Sequence, residues 1–205
     1  MLLLLSGSNA VSAVYITACS EASAVKEYKN YKNKEWSWKA DPFFTIVLEE
    51  IDAIVKNTEK DLFVRQDVDI NYRLFFRLQM VYIFLWTIIE RYATLKYYLG
   101  GNSKKKRLKI ADDPLFKKYL KKYVKKQSSP LRVYTSDRNF KFFELDSDNP
   151  IESIEYYYTI RSNSVHRGKS INWDYDRLKS ALTDLQKIFK NMLEESWETS
   201  KINEN

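Results

Sequence analysis

The sequence predicts an all-α protein: a helical bundle with a basic helical insertion and a short β-hairpin. Glycine and proline are scarce, at 4 residues each among 205, which favours long helices over an architecture with many turns. Three of the four prolines follow an Asp or Asn residue, an arrangement that caps a helix and places proline at its first position. These pairs are Asp41–Pro42, Asp113–Pro114 and Asn149–Pro150.

Helices are predicted from these start signals, from apolar residues spaced three and four apart, and from glycines that follow such patterns. They cover residues 20–34, 42–57, 71–99, 114–126, 150–167 and 174–197. The helix over 71–99 is expected to be the core element, because apolar residues follow one of its faces from Leu74 to Tyr92. The last helix repeats the same pattern from Leu178 to Met192.

Two aromatic segments around residue 137 predict the hairpin. Val133–Tyr134 and Phe140–Phe143 are strand-like and are separated by polar residues. A chain of 205 residues fits one main domain. The predicted units are an N-terminal helical extension (1–40), one helical domain (41–197) with a basic insertion (102–148), and a frayed C-terminus (198–205).

Composition favours a cytoplasmic protein without stable membrane insertion. The chain is 44% hydrophobic and 30% charged, as globular domains are, and its single Cys19 fits a reducing compartment. The apolar start Met1–Leu5 is too short for a signal peptide, and Met80–Ile89 is about half of the ~20 residues that a membrane span needs. Residues Ile16–Cys19 resemble a lipoprotein cleavage box, but the cationic start and continuous apolar run of such signals are missing.

The net charge of +7 is concentrated in one segment. Residues 104–126 hold 11 Lys or Arg against two Asp, so the remainder of the chain sums to −2. Lys104–Arg107 is interpreted as a flexible cationic loop, and the following helix has a lysine face opposite an aromatic face. Such a localised patch predicts an anion-binding surface.

Three interpretations of this basic helix remain open. It binds the phosphate backbone of RNA, it docks its aromatic side and leaves its lysines in solvent, or it lies on an anionic membrane surface. The expected RNA-binding residues are Lys117, Lys118, Lys121, Lys122, Lys125 and, further along the chain, Lys169.

His166 is the only histidine, and it limits the chemistry available to the chain. Imidazole is the side chain best suited to proton transfer near neutral pH. A mononuclear zinc site needs several His or Cys ligands, and the chain has one of each, so no metal or other cofactor is expected. No nucleophile elbow accompanies His166. An Arg161/His166 pair among polar residues suits metal-free chemistry on a phosphodiester.

The run Arg161-Ser162-Asn163-Ser164-Val165-His166 resembles the signature of the HEPN superfamily, which is Arg, a polar residue, three further residues, then His. The stretch Phe84–Tyr92 is similar to the long core helix of HEPN proteins from prokaryotic abortive-infection and other defence systems. The resemblance covers residues 40 to 197. Gly168 replaces the Tyr of the His-x-Tyr extension found in HEPN toxins that pair with nucleotidyltransferase antitoxins.

The resemblance implies a metal-independent endoribonuclease that acts in phage defence or as a toxin. Arg161 and His166 would be catalytic, and Ser162, Asn163 and Arg167 would support them. The family resemblance also implies a homodimer in which two motifs face each other, and a possible antitoxin or defence-complex partner.

Three alternatives stay open. Some HEPN domains are non-catalytic dimerisation or RNA-binding modules that partner another defence component. Arg161 and His166 can also be residues that complement the dipole at a helix C-terminus. More distantly, the chain can be a helical scaffold that uses its basic helix for nucleic-acid or membrane association. The aromatic runs Tyr156–Tyr158 and Trp36–Trp38 are interpreted as packing residues.

Overall fold

A computed structural model describes residues 41–60, 68–97, 102–125, 129–135, 141–166 and 171–202. The predicted extension over 1–40, with Cys19 and the Trp36–Trp38 run, lies outside these residues. The described elements are α1 (Pro42–Lys60), α2 (Val68–Tyr97), α3 (Ser103–Asp112), α4 (Pro114–Tyr123), β1 (Arg132–Tyr134), β2 (Phe142–Glu144), α5 (Pro150–His166) and α6 (Ile171–Ile202). The expected all-α class with a short hairpin is confirmed.

Helix α2 is the centre of the bundle and contacts α1, α3, α5 and α6. Its inward face is buried by these neighbours. The fully buried side chains include Leu78, Tyr82, Leu85, Trp86, Ile88 and Ile89. Each apolar side chain buried in this way contributes roughly 2 kcal/mol to folding, so this one face holds much of the core. The prediction that the segment forms the core is confirmed.

Helices α2 and α6 run in the same direction. Phe75 contacts Tyr175 near the start of both helices, with ring centroids 6.5 Å apart. Further along, Tyr92 contacts Phe189 with centroids 5.5 Å apart. The starts of the two helices therefore lie at one end of the bundle.

Helix α5 runs antiparallel to α2. Trp86 packs edge-on against Tyr158, with ring centroids 5.4 Å apart. Nearer the start of α2, Phe75 lines a small cavity together with Ile160 and Ser164 of α5. The last turn of α5, which carries the Arg–His motif, therefore lies at the level of the first turns of α2 and α6.

The segment expected to be a flexible cationic loop is helical, and this interpretation was wrong. The side chain of Asn102 caps α3 by accepting a hydrogen bond from the Lys105 amide at 3.0 Å. Arg107 is buried against α5, where it pairs with Glu155 at 2.8 Å. The helix is stabilised by this long-range ion pair and by buried Ile110, neither of which a local run of lysines reveals.

Some boundaries also differ from the prediction. Helix α4 ends at Tyr123 instead of 126, because Val124 adopts an extended conformation and buries its side chain. Helix α6 continues to Ile202, so residues 198–202 are helical where fraying was expected.

The predicted hairpin is confirmed, with its second strand two residues later than expected. Val133 pairs with Phe143 in an antiparallel register, and Val133 is buried. Both strands contact α5. The backbone carbonyl of Tyr134 accepts a 2.8 Å hydrogen bond from Nδ2 of Asn163, which attaches the hairpin to the motif turn.

By length and composition alone, Tyr72–Tyr97 is sufficient to cross a membrane, with a hydropathy of 1.3 in its most apolar window. Half of that window is buried inside the bundle. The central helix of a helical bundle meets the same criterion, and α2 has that position here.

Asp113 joins α2 to α4 and is almost fully buried. Its carboxylate accepts hydrogen bonds from Lys96 Nζ at 2.7 Å, the Tyr97 hydroxyl at 2.5 Å and the Leu115 amide at 2.9 Å. We expect Asp113→Ala to lower the free energy of unfolding by about 3 kcal/mol, because it removes a helix cap and the partner of a lysine. Thermal unfolding would shift down by roughly 6–12 °C.

The adjacent Asp112 offers a matched control. Its side chain is 67% exposed, and its nearest cation, Lys117 Nζ, lies 3.9 Å away. Asp112→Ala is expected to change stability by no more than about 0.5 kcal/mol. Equal unfolding temperatures for the two variants would show that Asp113 does not anchor these helices.

Candidate functional site

Arg161 lies on α5 with its guanidinium beside an aromatic ring. Its Cζ atom is 5.8 Å from the ring centroid of Tyr158. The Nε atom is buried and has no hydrogen-bond partner in the described part of the chain. Leaving a buried donor unsatisfied costs about 1–3 kcal/mol. A ligand cannot reach this buried Nε, but the residue as a whole is half-buried, so the terminal Nη groups are the atoms that a ligand can contact.

A second arginine, which the sequence analysis did not select, contacts the same ring. Arg107 Cζ lies 3.6 Å from the Tyr158 centroid, close enough for a cation–π contact. Its guanidinium also forms a two-pronged pair with Glu155, at 2.8 and 3.2 Å. Arg107 is thus neutralised within the protein, whereas no carboxylate among the described residues pairs with Arg161.

Further hydrogen bonds hold Arg107 in place. Its Nη1 donates to the Ser103 hydroxyl at 3.1 Å, and that hydroxyl donates to Glu90 Oε1 at 2.7 Å. This series of hydrogen bonds joins α2, α3 and α5 and fixes Tyr158 beside Arg161. The residue after Glu90, Arg91, pairs instead with Asp41 at 2.9 Å.

The sequence feature that could have identified Arg107 is its residue type. It is the one arginine within the run Lys104–Lys109. Arginine suits buried pairing and ring stacking better than lysine, because its planar guanidinium binds a carboxylate through two hydrogen bonds. An arginine among lysines indicates such a contact, but its partner cannot be read from the local sequence.

The side chain of Asn163, which was predicted to support catalysis, forms a structural hydrogen bond to the hairpin. It is buried and donates its Nδ2 hydrogen bond to the hairpin, whereas its Oδ1 has no hydrogen-bond partner in the described residues. Ser164 bonds back to the Ile160 carbonyl at 2.8 Å. Ser162 is half-buried, and its hydroxyl has no hydrogen bond to a described residue. Ser162 is therefore the better placed of the two predicted neighbours to bind a phosphate oxygen.

His166 is the last residue of α5, one turn beyond Ser162. The structure describes the backbone of His166 but not its side chain. Arg167 and Lys169 lie outside the described residues. The structure thus places Arg161 and position 166 on the last two turns of one helix.

The basic helix α4 docks its aromatic side against α6 and leaves its lysines exposed. Phe116, Tyr119 and Leu120 are buried. The exposed lysines are Lys117, Lys118, Lys121, Lys122 and Lys125. Docking of the aromatic face agrees with the second of the three interpretations. Exposed lysines are equally required by an RNA-binding surface.

Several of these lysines are paired. Lys118 Nζ lies 2.6 Å from Glu195, and Lys121 Nζ lies 3.4 Å from Asp148. Hydrogen bonds from Lys118 and from Tyr119 lower the pKa of Glu195. The same contact with Glu195 raises the pKa of the Tyr119 hydroxyl to about 12. The contacts with Glu195 attach α4 to α6, and both ion pairs reduce the positive charge that the lysine face presents.

The basic helix and the motif lie at opposite ends of α5. The Lys121–Asp148 pair places α4 beside the start of α5. Since α5 has 17 residues, roughly 25 Å separate its two ends. Within one chain, the structure does not bring the predicted RNA-binding lysines of α4 together with Arg161; Lys169 lies outside the described residues.

We expect replacement of Lys117, Lys118, Lys121 and Lys122 by glutamine to weaken RNA binding and to flatten its salt dependence. For each lysine that no longer binds a phosphate, the slope of log K against log salt should fall by about 0.7 for a single strand. Fluorescence anisotropy at several salt concentrations measures this slope. An unchanged slope would show that the lysine face serves docking alone.

An exposed apolar stripe follows one face of α2. Its members are spaced four residues apart and are 38–62% exposed: Tyr72, Phe76, Met80 and Phe84. Beside it lies an apolar groove of about 380 Å³ between α1 and α2, lined by Ile46, Val81 and Phe84 among others. Contiguous exposed apolar surface of this kind is typical of interaction sites. The stripe begins at the end of the bundle that carries the motif.

Among the described residues, no group of three or more His, Cys, Asp or Glu is placed to bind a metal ion. No protein-family model, no curated protein and no solved structure matches the chain.

Proposed function

We propose that the chain is a metal-independent endoribonuclease of the HEPN type, which cleaves RNA through attack of a 2′-hydroxyl on the adjacent phosphorus. The observation that carries this proposal is the Arg161 guanidinium. It is half-buried, no carboxylate among the described residues pairs with it, and it lies beside Tyr158 on the helix that also holds His166. Its terminal Nη groups can bind a phosphate through two hydrogen bonds.

The two residues have complementary roles in this reaction. As the 2′-oxygen attacks, negative charge builds on the phosphoryl oxygens, and Arg161 stabilises that charge. His166 removes the proton from the 2′-hydroxyl or donates one to the departing 5′-oxygen. The products are a 2′,3′-cyclic phosphate and a 5′-hydroxyl.

A homodimer would supply both proton-transfer groups. The chain has one histidine, and one imidazole does not readily act as acid and base in the same step. The α2 stripe supports a two-chain arrangement because it reaches the motif end of the bundle. Phe75 lines a cavity with Ser164 of the motif, and the stripe residues Tyr72 and Phe76 lie within one turn of Phe75. Pairing of two stripes about a twofold axis parallel to α2 would bury apolar surface and bring the two motifs to the same end of the dimer.

The test uses purified protein and single-stranded RNA in excess EDTA. We expect cleavage of the RNA, and no cleavage of single-stranded DNA of the same sequence, which lacks the 2′-hydroxyl. Intact RNA after prolonged incubation with stoichiometric protein would overturn the proposal. The biological setting that we propose is phage defence or toxicity in the cytoplasm, with an antitoxin or defence-complex partner.

The alternative is a non-catalytic HEPN module that binds RNA and partners another defence component. The exposed lysine face of α4 favours it, because that face lies away from Arg161. RNA binding without cleavage in the same experiment would select this alternative.

A further inference from the structure

We propose that Tyr134 and Phe142, on the outward face of the hairpin, stack against unpaired bases of a single-stranded RNA substrate. RNA as the natural ligand rests on the proposed function. The two rings are 52% and 41% exposed, and their centroids lie 5.8 Å apart. They face each other directly across the two strands.

The pattern of the strands sets these rings apart from packing residues. Val133, between the strand's two outward positions, is 1% exposed and faces the core, so the hairpin buries its other side. Outward positions of a half-buried sheet are ordinarily polar. Two adjacent aromatic rings in those positions provide flat apolar surface in solvent, which is what base stacking uses.

One cation lies directly beside the ring pair. Arg132 Cζ is 4.8 Å from the Phe142 centroid, and an ion pair with Glu144 keeps its guanidinium over the ring. Lys141 Nζ instead lies 4.8 Å from the ring of Phe143, the next residue along β2. Exposed aromatic rings beside an arginine suit the bases of a nucleic-acid strand, and single strands expose their bases.

The hairpin is held against the motif helix. Asn163 binds the Tyr134 carbonyl, and the Glu144 amide donates to Glu152 Oε1 at 3.1 Å. Residues three apart are neighbours on a helix surface, so positions 163 and 166 are adjacent. A base stacked on Tyr134 would lie on the outer face of the hairpin, whose backbone at this residue is bound to the last turns of α5. This geometry predicts a substrate that is unpaired next to the scissile bond.

The test measures binding separately from cleavage. A short fluorescein-labelled single-stranded DNA keeps the bases and phosphates but has no 2′-hydroxyl, so it binds without being cut. We expect Tyr134→Ala and Phe142→Ala each to weaken its binding by about tenfold in fluorescence anisotropy. Tyr134→Phe, which keeps the ring, should bind as the wild type does. The control is Ile151→Ala, which removes a side chain that is 50% exposed at the other end of α5.

Phe142→Leu extends the test, because it keeps apolar bulk and removes the ring; it should also weaken binding if the alanine variants fold poorly. Wild-type affinity in folded Tyr134→Ala and Phe142→Leu proteins, or no binding of the single strand by the wild type, would overturn the stacking site. Its failure is distinguishable from failure of the nuclease proposal. RNA cleavage with ring-independent binding removes only the stacking site, whereas ring-dependent binding without cleavage removes only the nuclease.

Discussion

Arg161→Ala is expected to lower the rate of RNA cleavage by about 100- to 1,000-fold, because in the proposed mechanism this residue stabilises charge on the phosphoryl oxygens. Arg161→Lys keeps a positive charge but loses the planar guanidinium that can form two parallel hydrogen bonds. Its rate should lie between those of the wild type and Arg161→Ala. Single-turnover cleavage in EDTA gives these rates. His166→Ala should lose at least as much activity, since it removes the proton-transfer group.

Thermal unfolding separates this account from the interpretation of Arg161 as a helix cap. The Arg161 guanidinium has no ion pair with a described residue, and its buried Nε is unsatisfied, so Arg161→Ala should not unfold more than about 2 °C below the wild type. If Arg161 were only a helix cap, Arg161→Ala would lower the unfolding temperature and leave the cleavage rate unchanged. Lys190→Ala is the control, since Lys190 lies in the second half of α6, away from the motif end, and pairs with Asp52 at 3.5 Å; it should cleave at the wild-type rate.

Phe76→Glu is expected to convert the proposed dimer into a folded monomer and to reduce cleavage at least tenfold. Phe76 is 62% exposed, so the substitution leaves the core intact but places a charge in the proposed interface. Light scattering after size-exclusion chromatography measures the mass, and the RNA assay measures the rate.

The control for this variant is Ile151→Glu, at an exposed position on the far end of α5. It should remain dimeric and active. A wild-type protein that is monomeric and active, or a Phe76→Glu protein that is still a dimer, would refute pairing through the α2 stripe.

Local signals predicted the parts of the fold that local contacts determine. Helices α1, α4 and α5 begin at Pro42, Pro114 and Pro150, as the Asp–Pro and Asn–Pro pairs predicted. A cap and its proline act within one turn, so the sequence alone contains that information. Helix α3 escaped prediction because it depends on Arg107 and on a carboxylate from a distant part of the chain.

The candidate site divides in the same way. The spacing of Arg161 and His166 is local, and it was visible in the sequence. The run Tyr156–Tyr158 was interpreted as packing, and Tyr156 and Tyr157 are indeed buried. Tyr158 is only half-buried, and its ring contacts the guanidinium groups of Arg107 and Arg161. The amphipathic character of α4 was predicted, but its position at the opposite end of α5 follows from tertiary contacts alone.

Mass spectrometry of the RNA fragments produced by the wild-type protein in EDTA tests the central claim most directly. Attack by the 2′-hydroxyl predicts fragments that end in a 2′,3′-cyclic phosphate and begin with a 5′-hydroxyl, and none of these fragments with the His166→Ala protein. Fragments that carry a 5′-phosphate and a 3′-hydroxyl, or equal fragment yields from the wild type and His166→Ala, would contradict it.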